Sequence, residues 1–293
     1  MNKITLDFVK KTVIPRKSAT HKGNYGRILI IGGNQNFGGA AIMSATAAVY
    51  AGAGLVTTAT DPMNFTALHA RLPESMVLDF NDLDALSTMM AKMDVVVIGP
   101  GLGTDAPSEQ ILRTVLNQVS ENQSIIIDGS AITLIAAKKL TLPRQGHLIF
   151  TPHQMEWQRL SDITIANQTD ANNQQALQKM VTQNKNIYLV LKSNQTKVYL
   201  PNQEIWVNTT GNPGMATGGS GDALTGILAA FIGQFKPLSA SILAGVYTHS
   251  AVADQIYQEQ YVVLPQRLSE RLPYFMHQLA DRSNQAHQLG FHF

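Results

Sequence analysis

The stretch RILIIGGNQNFGGAAIMSATAAVYAGAGLVTTA, residues 27–59, reads as strand, glycine-rich loop, helix and strand in succession. Residues 27–31 and 55–59 are short runs rich in Ile, Leu and Val without polar–apolar alternation, the pattern of parallel strands covered on both faces. Between them residues 40–50 have helix-like composition, closed by Gly52 and Gly54. The same unit recurs. Further apolar runs lie at 94–98, 124–127, 147–150 and 187–191, and a helix opened by Pro107 is expected over 108–119. Strands alternating with helices predict a doubly wound α/β sheet. Residues 197–200 and 205–208, separated by Pro201-Asn202, predict an antiparallel hairpin appended to it. The helix after Asp222 carries Leu224, Ile227, Leu228 and Phe231 on one face and Ala, Gly and Ile on the other, so deep burial is expected. No linker or repeat interrupts the chain, and residues 1–293 are expected to form a single domain, with 281–293 as a tail that is loose or packs on a neighbour.

Composition narrows the function. Lys plus Arg number 22 against 20 Asp plus Glu, a net charge of +2 that gives no electrostatic case for nucleic-acid binding. Charged residues are 14% and apolar residues 44%, which excludes disorder as the dominant state. With no cysteine there is no disulfide, thiolate metal site or cysteine nucleophile, and a cytoplasmic setting is expected. The opening MNKITLDFVKK has no signal-peptide core. The most lipid-like run, residues 223–233, falls short of the roughly 20 residues of a membrane span.

In open α/β sheets ligands bind beyond the carboxyl ends of the strands. Four such ends are unusual here: Gly32-Gly33-Asn34 leading to Gly38-Gly39-Ala40-Ala41; GPGLGT at 99–104; Thr151-Pro152-His153; and NPGMATGGSGD at 212–222. In the last, glycines at 214, 218, 219 and 221 expose backbone N–H groups where a helix begins, which makes an anion cradle suited to phosphate. Asp222 sets a carboxylate beside it. Ser220 or Asp222 could instead cap the helix, although a cap does not explain a glycine run that raises the entropy lost on folding. No Gly-Lys-Ser/Thr occurs, so a Walker loop is excluded, and 99–104 does not match Gly-x-Gly-x-x-Gly. His153, Lys192 and Asp128 each end a strand. His153 either faces the crevice or pairs with Glu156, Lys192 reaches a phosphate or is solvated at the rim, and Asp128 is a metal or water ligand or a turn-former.

NPGMATGGSGDALTG at 212–226, with KGNYGRILIIGG, GPGLGT and TPH, resembles the ADP/ATP-dependent NAD(P)H-hydrate dehydratases of the ribokinase-like superfamily, over residues of about 13 to 279. The resemblance implies a three-layer αβα sandwich with a mostly parallel central sheet. It implies a carbon–oxygen lyase that returns the S form of hydrated NADH or NADPH to NAD(P)H with ADP or ATP as co-substrate and Mg2+, and a homo-oligomer, most simply a tetramer. By position it assigns Asp222 as catalytic base; Ala40 or Ala41, Gly103 and His153 to the hydrated dinucleotide; and Lys192, Ser193, Asn194, Gln195, Thr196, Gly219, Ser220 and Gly221 to the nucleotide. No metal ligands are assigned. The chain departs from the family at Gln154-Met155 (usually Pro-Gly), at Ser193 (usually Gly) and at Asp128-Gly129-Ser130 (usually Asp-Ala-Asp), so residue 130 supplies no carboxylate. A small-molecule kinase using the same aspartate and a non-catalytic nucleotide-binding protein are the alternatives.

Overall fold

In the computed structural model, residues 1–281 are described; the expected tail, apart from Asp281, lies outside them. The chain opens with a short strand β1 (Asn2–Ile4) and helix α1 (Leu6–Thr12), then enters the repeating unit with β2 (Arg27–Ile31), α2 (Gly38–Tyr50) and β3 (Leu55–Thr60). It continues through α3 (Phe65–Arg71), β4 (Met76–Asp79), α4 (Leu83–Met90), β5 (Val95–Ile98), α5 (Ala106–Asn117), β6 (Ser124–Ile127), α6 (Gly129–Lys138) and β7 (His147–Phe150). Next come α7 (Gln154–Ser161), α8 (Asp170–Val181), β8 (Ile187–Leu191), β9 (Lys197–Tyr199) and β10 (Ile205–Asn208). Three helices close the described chain: α9 (Ser220–Gln234), α10 (Leu238–Tyr257) and α11 (Pro265–Ala280).

Among the described residues ten strands form one sheet in the order β1-β10-β9-β8-β7-β6-β5-β2-β3-β4, in which only β9 runs against its neighbours. The pleat sends Ile28 and Ile30 into a core shared with α2, α9, α10 and α11, and Leu29 and Ile31 into a second core beneath α4 to α8. That is the three-layer sandwich. No described helix is long and apolar enough to cross a membrane. The expected hairpin forms, but its turn is longer than Pro201-Asn202: Gln203 donates back to the Leu200 carbonyl and Leu200 to that of Glu204. The edge strands β1 and β4, which the apolar runs did not announce, each pair on one side only.

One feature of the topology places the site. The chain winds outward from β2 through β3 to β4, then returns to lay β5 on the other side of β2. The crevice at this switch of direction is where ligands of such sheets bind.

Candidate active site

The loops after β2 and β5 meet at that crevice. Gly33 donates to the Pro100 carbonyl at 2.8 Å and Asn34 to that of Gly101 at 2.7 Å. A side chain at Gly32 would strike the Pro100 carbonyl oxygen, so the close approach itself requires glycine. The Asn34 carboxamide accepts from Asn36 and Phe37 and turns the chain into α2. Ala40 is half-buried at the lip, whereas Ala41 is fully buried with its methyl beneath Gly33, so of the two only Ala40 offers a side chain to a ligand. Gly103 has φ +97° and donates its N–H to Ser130 Oγ at 3.1 Å. The serine at the position that departs from the family thus ties the β5 loop to the start of α6.

Asp128, immediately after β6, is 4% exposed. Its Oδ1 accepts from Thr151 Oγ1 at 2.7 Å and from Lys192 Nζ at 2.7 Å, and Glu156 Oε2 lies 3.9 Å from the same ammonium. Burial works against the Lys192 charge, but the adjoining Asp128 and Glu156 carboxylates outweigh it and raise the pKa. Lys192 is therefore cationic, and it faces the site instead of being solvated at the rim. His153 caps α7: Nδ1 accepts from the Met155 and Glu156 amides, and Glu156 Oε2 accepts from the His153 amide at 2.8 Å. Its Nε2 stands 3.4 Å from Glu156 Oε1 on a side chain that is 53% exposed. His153 thus both pairs with Glu156 and presents a ring edge outward. Ser193, Asn194 and Gln195 form an exposed turn after Lys192, braced by Gln195 N–H on Ser193 Oγ and by Thr196 Oγ1 on the Ser193 carbonyl.

The start of α9 completes the arrangement. Gly219 sits at its N-cap with φ +91°, and no side chain caps the helix. The capping alternative for Ser220 and Asp222 therefore falls; the Ser220 N–H turns back to the Thr217 carbonyl at 3.5 Å, and the Gly221 and Asp222 N–H groups are left open. A Cβ on Gly221 would lie 3.3 Å from Lys192 Nζ, and one on Gly218 would meet nothing within 4 Å. Gly219 abuts Met43 of α2, so the phosphate cradle, the lysine and the glycine loops share one crevice. No described residue hydrogen-bonds the Asp222 carboxylate. Burial and the negative charges of Asp128 and Glu156 raise its pKa, Lys192 pulls it back, and it stands at about 6. A carboxylate near neutrality and free of structural bonds is suited to taking a proton.

Behind the cradle stands α10, whose polar residues lie outside the four glycine-rich and strand-end motifs. Asp254 accepts from Gly211 N–H at 3.0 Å and Asn212 Nδ2 at 2.8 Å, Ser250 Oγ from Asn208 Nδ2 at 2.7 Å, and His249 Nε2 lies 3.0 Å from the Ser220 carbonyl oxygen. Burial lowers the His249 pKa to about 4, so the ring is neutral and Nε2–H donates. The available signal was polar residues inside an otherwise apolar run. A cleft of about 430 Å³ bounded by Phe8, Tyr188, Trp206 and Pro237 lies at the opposite, amino end of the strands and involves none of these groups.

The profile of the NAD(P)H-hydrate dehydratase family matches residues 28–274. The chain belongs to this family. The ADP-dependent (S)-NAD(P)H-hydrate dehydratase of Lactiplantibacillus plantarum is 51% identical over 96% of the chain and 98% of the relative. A ribokinase-like superfamily protein of Enterococcus faecalis superposes with a TM-score of 0.91 at 46% identity, over 96% of each chain. The ADP/ATP-dependent NAD(P)H-hydrate dehydratase of Bacillus subtilis, co-crystallised with ATP/Mg2+, does so with 0.82 at 27% identity, over 95% of this chain and 98% of that one. The dehydratase family's motifs thus fall on the crevice assembled above.

Proposed function

We propose that this chain dehydrates the S form of NADH or NADPH hydrate and drives the reaction with ADP or ATP. The observation that carries the reading is Asp222: a carboxylate with a raised pKa and no cap bond, at the open start of α9 beside Lys192. Hydroxide is a poor leaving group. Asp222 takes the proton of the ring hydroxyl while that oxygen attacks the terminal phosphorus of the nucleotide, and the bond to the leaving nucleotide breaks. The Gly219, Ser220 and Gly221 backbone and Lys192 receive the charge on the transferred phosphoryl. The ring nitrogen's electron pair then expels phosphate, and loss of a proton from the neighbouring carbon restores the reduced nicotinamide. Ala40, Gly103 and the outward edge of His153 hold the dinucleotide; Ser193, Asn194, Gln195 and Thr196 flank the adenine nucleotide.

Mg2+ suits the oxygen-only donors Asp128 and Glu156. Among the described residues no three acidic or histidine groups are placed to cage an ion, in keeping with an ion held by one or two carboxylates together with phosphates. Magnesium bound there would neutralise phosphate charge. The chain works as one domain, in the cytoplasm, on small molecules, and as a homo-oligomer, most simply a tetramer. Exposed Tyr261, Val262 and Leu264 beside the 212–222 loop support assembly.

Incubation with hydrated NADH, Mg2+ and either ADP or ATP should restore the absorbance of reduced nicotinamide, with one phosphate released per turnover. A stable phosphorylated product would identify a kinase instead, and full recovery without nucleotide would exclude the phosphorylation step.

A further inference from the structure

We infer that His249 is a positioning residue for this reaction: by donating from Nε2 to the Ser220 carbonyl it orients the Gly221 amide that receives the transferred phosphoryl. The inference rests on the reading of α9 and Asp222 given above. Ser220 C=O and Gly221 N–H belong to one planar trans peptide and point in opposite directions. Holding the oxygen on the α10 side at 3.0 Å therefore turns the N–H to the far side. Lys192 Nζ also borders Gly221, 3.3 Å from where a side chain on it would begin.

A first-turn carbonyl already receives its helix's own i+4 N–H, so the imidazole bond is additional to what the helix requires. It also polarises the shared amide, which makes the Gly221 N–H a stronger donor. Gly221 is otherwise held by the helix's own backbone bonds. It has no side chain, it follows Gly218 and Gly219, and the upstream ties to α10 end at Asn212 through Asp254. His249 is the anchor downstream of the glycine run. It is 6% exposed, and burial together with the positive charge of Lys192 keeps the ring a neutral donor in the pH range where Asp222 titrates.

The test compares His249→Leu, which removes the donor, with His249→Gln, whose carboxamide can still donate from a similar distance. Each is measured with hydrated NADH, ADP and Mg2+ beside the Asp222→Asn protein. Positioning predicts that His249→Leu lowers kcat at least about tenfold, because a misaligned donor loses part of the hundred- to thousandfold effect of an oxyanion donor. KM for ADP should change by less than about threefold, and His249→Gln should regain most of kcat. A folded His249→Leu protein with kcat within about twofold of the parent overturns the inference, whatever its melting temperature. Should His249→Leu not fold, the imidazole 15N shifts of the parent decide: an Nδ1–H tautomer at His249 cannot donate from Nε2 and overturns the inference, while an Nε2–H tautomer and an active His249→Gln support it. Loss of activity in Asp222→Asn with unaffected His249 variants defeats the inference alone, whereas an active Asp222→Asn protein defeats the reading beneath it.

Discussion

Asp222 shows how a single residue's chemistry is set by its neighbours. Asn in its place keeps the size and removes the base, so turnover should fall by about two to four orders of magnitude while nucleotide affinity holds, as steady-state rates and calorimetry would report. A drop of less than about tenfold would reassign the base. Stability gives a second measure with a definite sign. The folded pKa of about 6 lies above the ordinary 3.8, so the folded state binds the proton more tightly. The stabilising protonated form is fully present below about pH 3.8 and is lost as the pH rises through about 6. Asp222→Asn should therefore raise the melting temperature at pH 8 and give no such gain at pH 4; equal shifts at both would contradict the buried charge. Activity should decline on acidification through about pH 6, where the base becomes protonated. Lys192 lowers this pKa, so Lys192→Met should move that acid limb to higher pH, and an unmoved limb would separate the lysine from Asp222.

At the scale of the element, two of the three glycines of α9 have opposite duties. Gly226 lies where α9 crosses α2, and a Cβ there would collide with the Ser44 carbonyl oxygen and approach the Ala48 nitrogen. Backbone cannot swing aside, so Gly226→Ala should destabilise the protein by about 1–3 kcal/mol in denaturant titrations. Gly221 meets only the flexible end of Lys192. Gly221→Val should therefore leave the fold intact yet weaken ADP or ATP binding at least about tenfold in calorimetry, because the branched side chain stands where an anion must reach the amides. Unchanged affinity would place the cradle elsewhere. Element by element, the interior strands were legible because they are apolar on both faces; 124–127 and 187–191 match the observed bounds. The edge strands β1 and β4 were not, since NKI and MVLD are short and half-exposed and take their structure from one neighbour.

For the whole molecule, the connection between α10 and α11 sets exposed apolar residues beside a brace on the glycine loop. Tyr261 is 90% exposed and Leu264 52%, yet Val263 between them is buried and donates to the Gly214 carbonyl at 2.9 Å. Light scattering should give a mass that is a multiple of 31.9 kDa, and four copies are expected. A Tyr261→Asp, Leu264→Asp protein should dissociate and bind nucleotide more weakly, because the same segment braces the glycine loop. A monomeric parent would refute the assembly.

The amino-acid sequence by itself determined the strand–helix alternation and the glycine loops, because these depend on local spacing and backbone freedom. It also pointed to Asp222 through the motif around it. Only the tertiary structure decided that Lys192 pairs with Asp128 across 64 positions, that Ser130 receives the Gly103 amide, that Ala41 lies beneath Gly33, and that α10 grips the loop through His249, Ser250 and Asp254. A charge's pKa and a donor's aim depend on burial and on groups brought within a few ångströms from distant parts of the chain. Those distances exist only once the chain has folded.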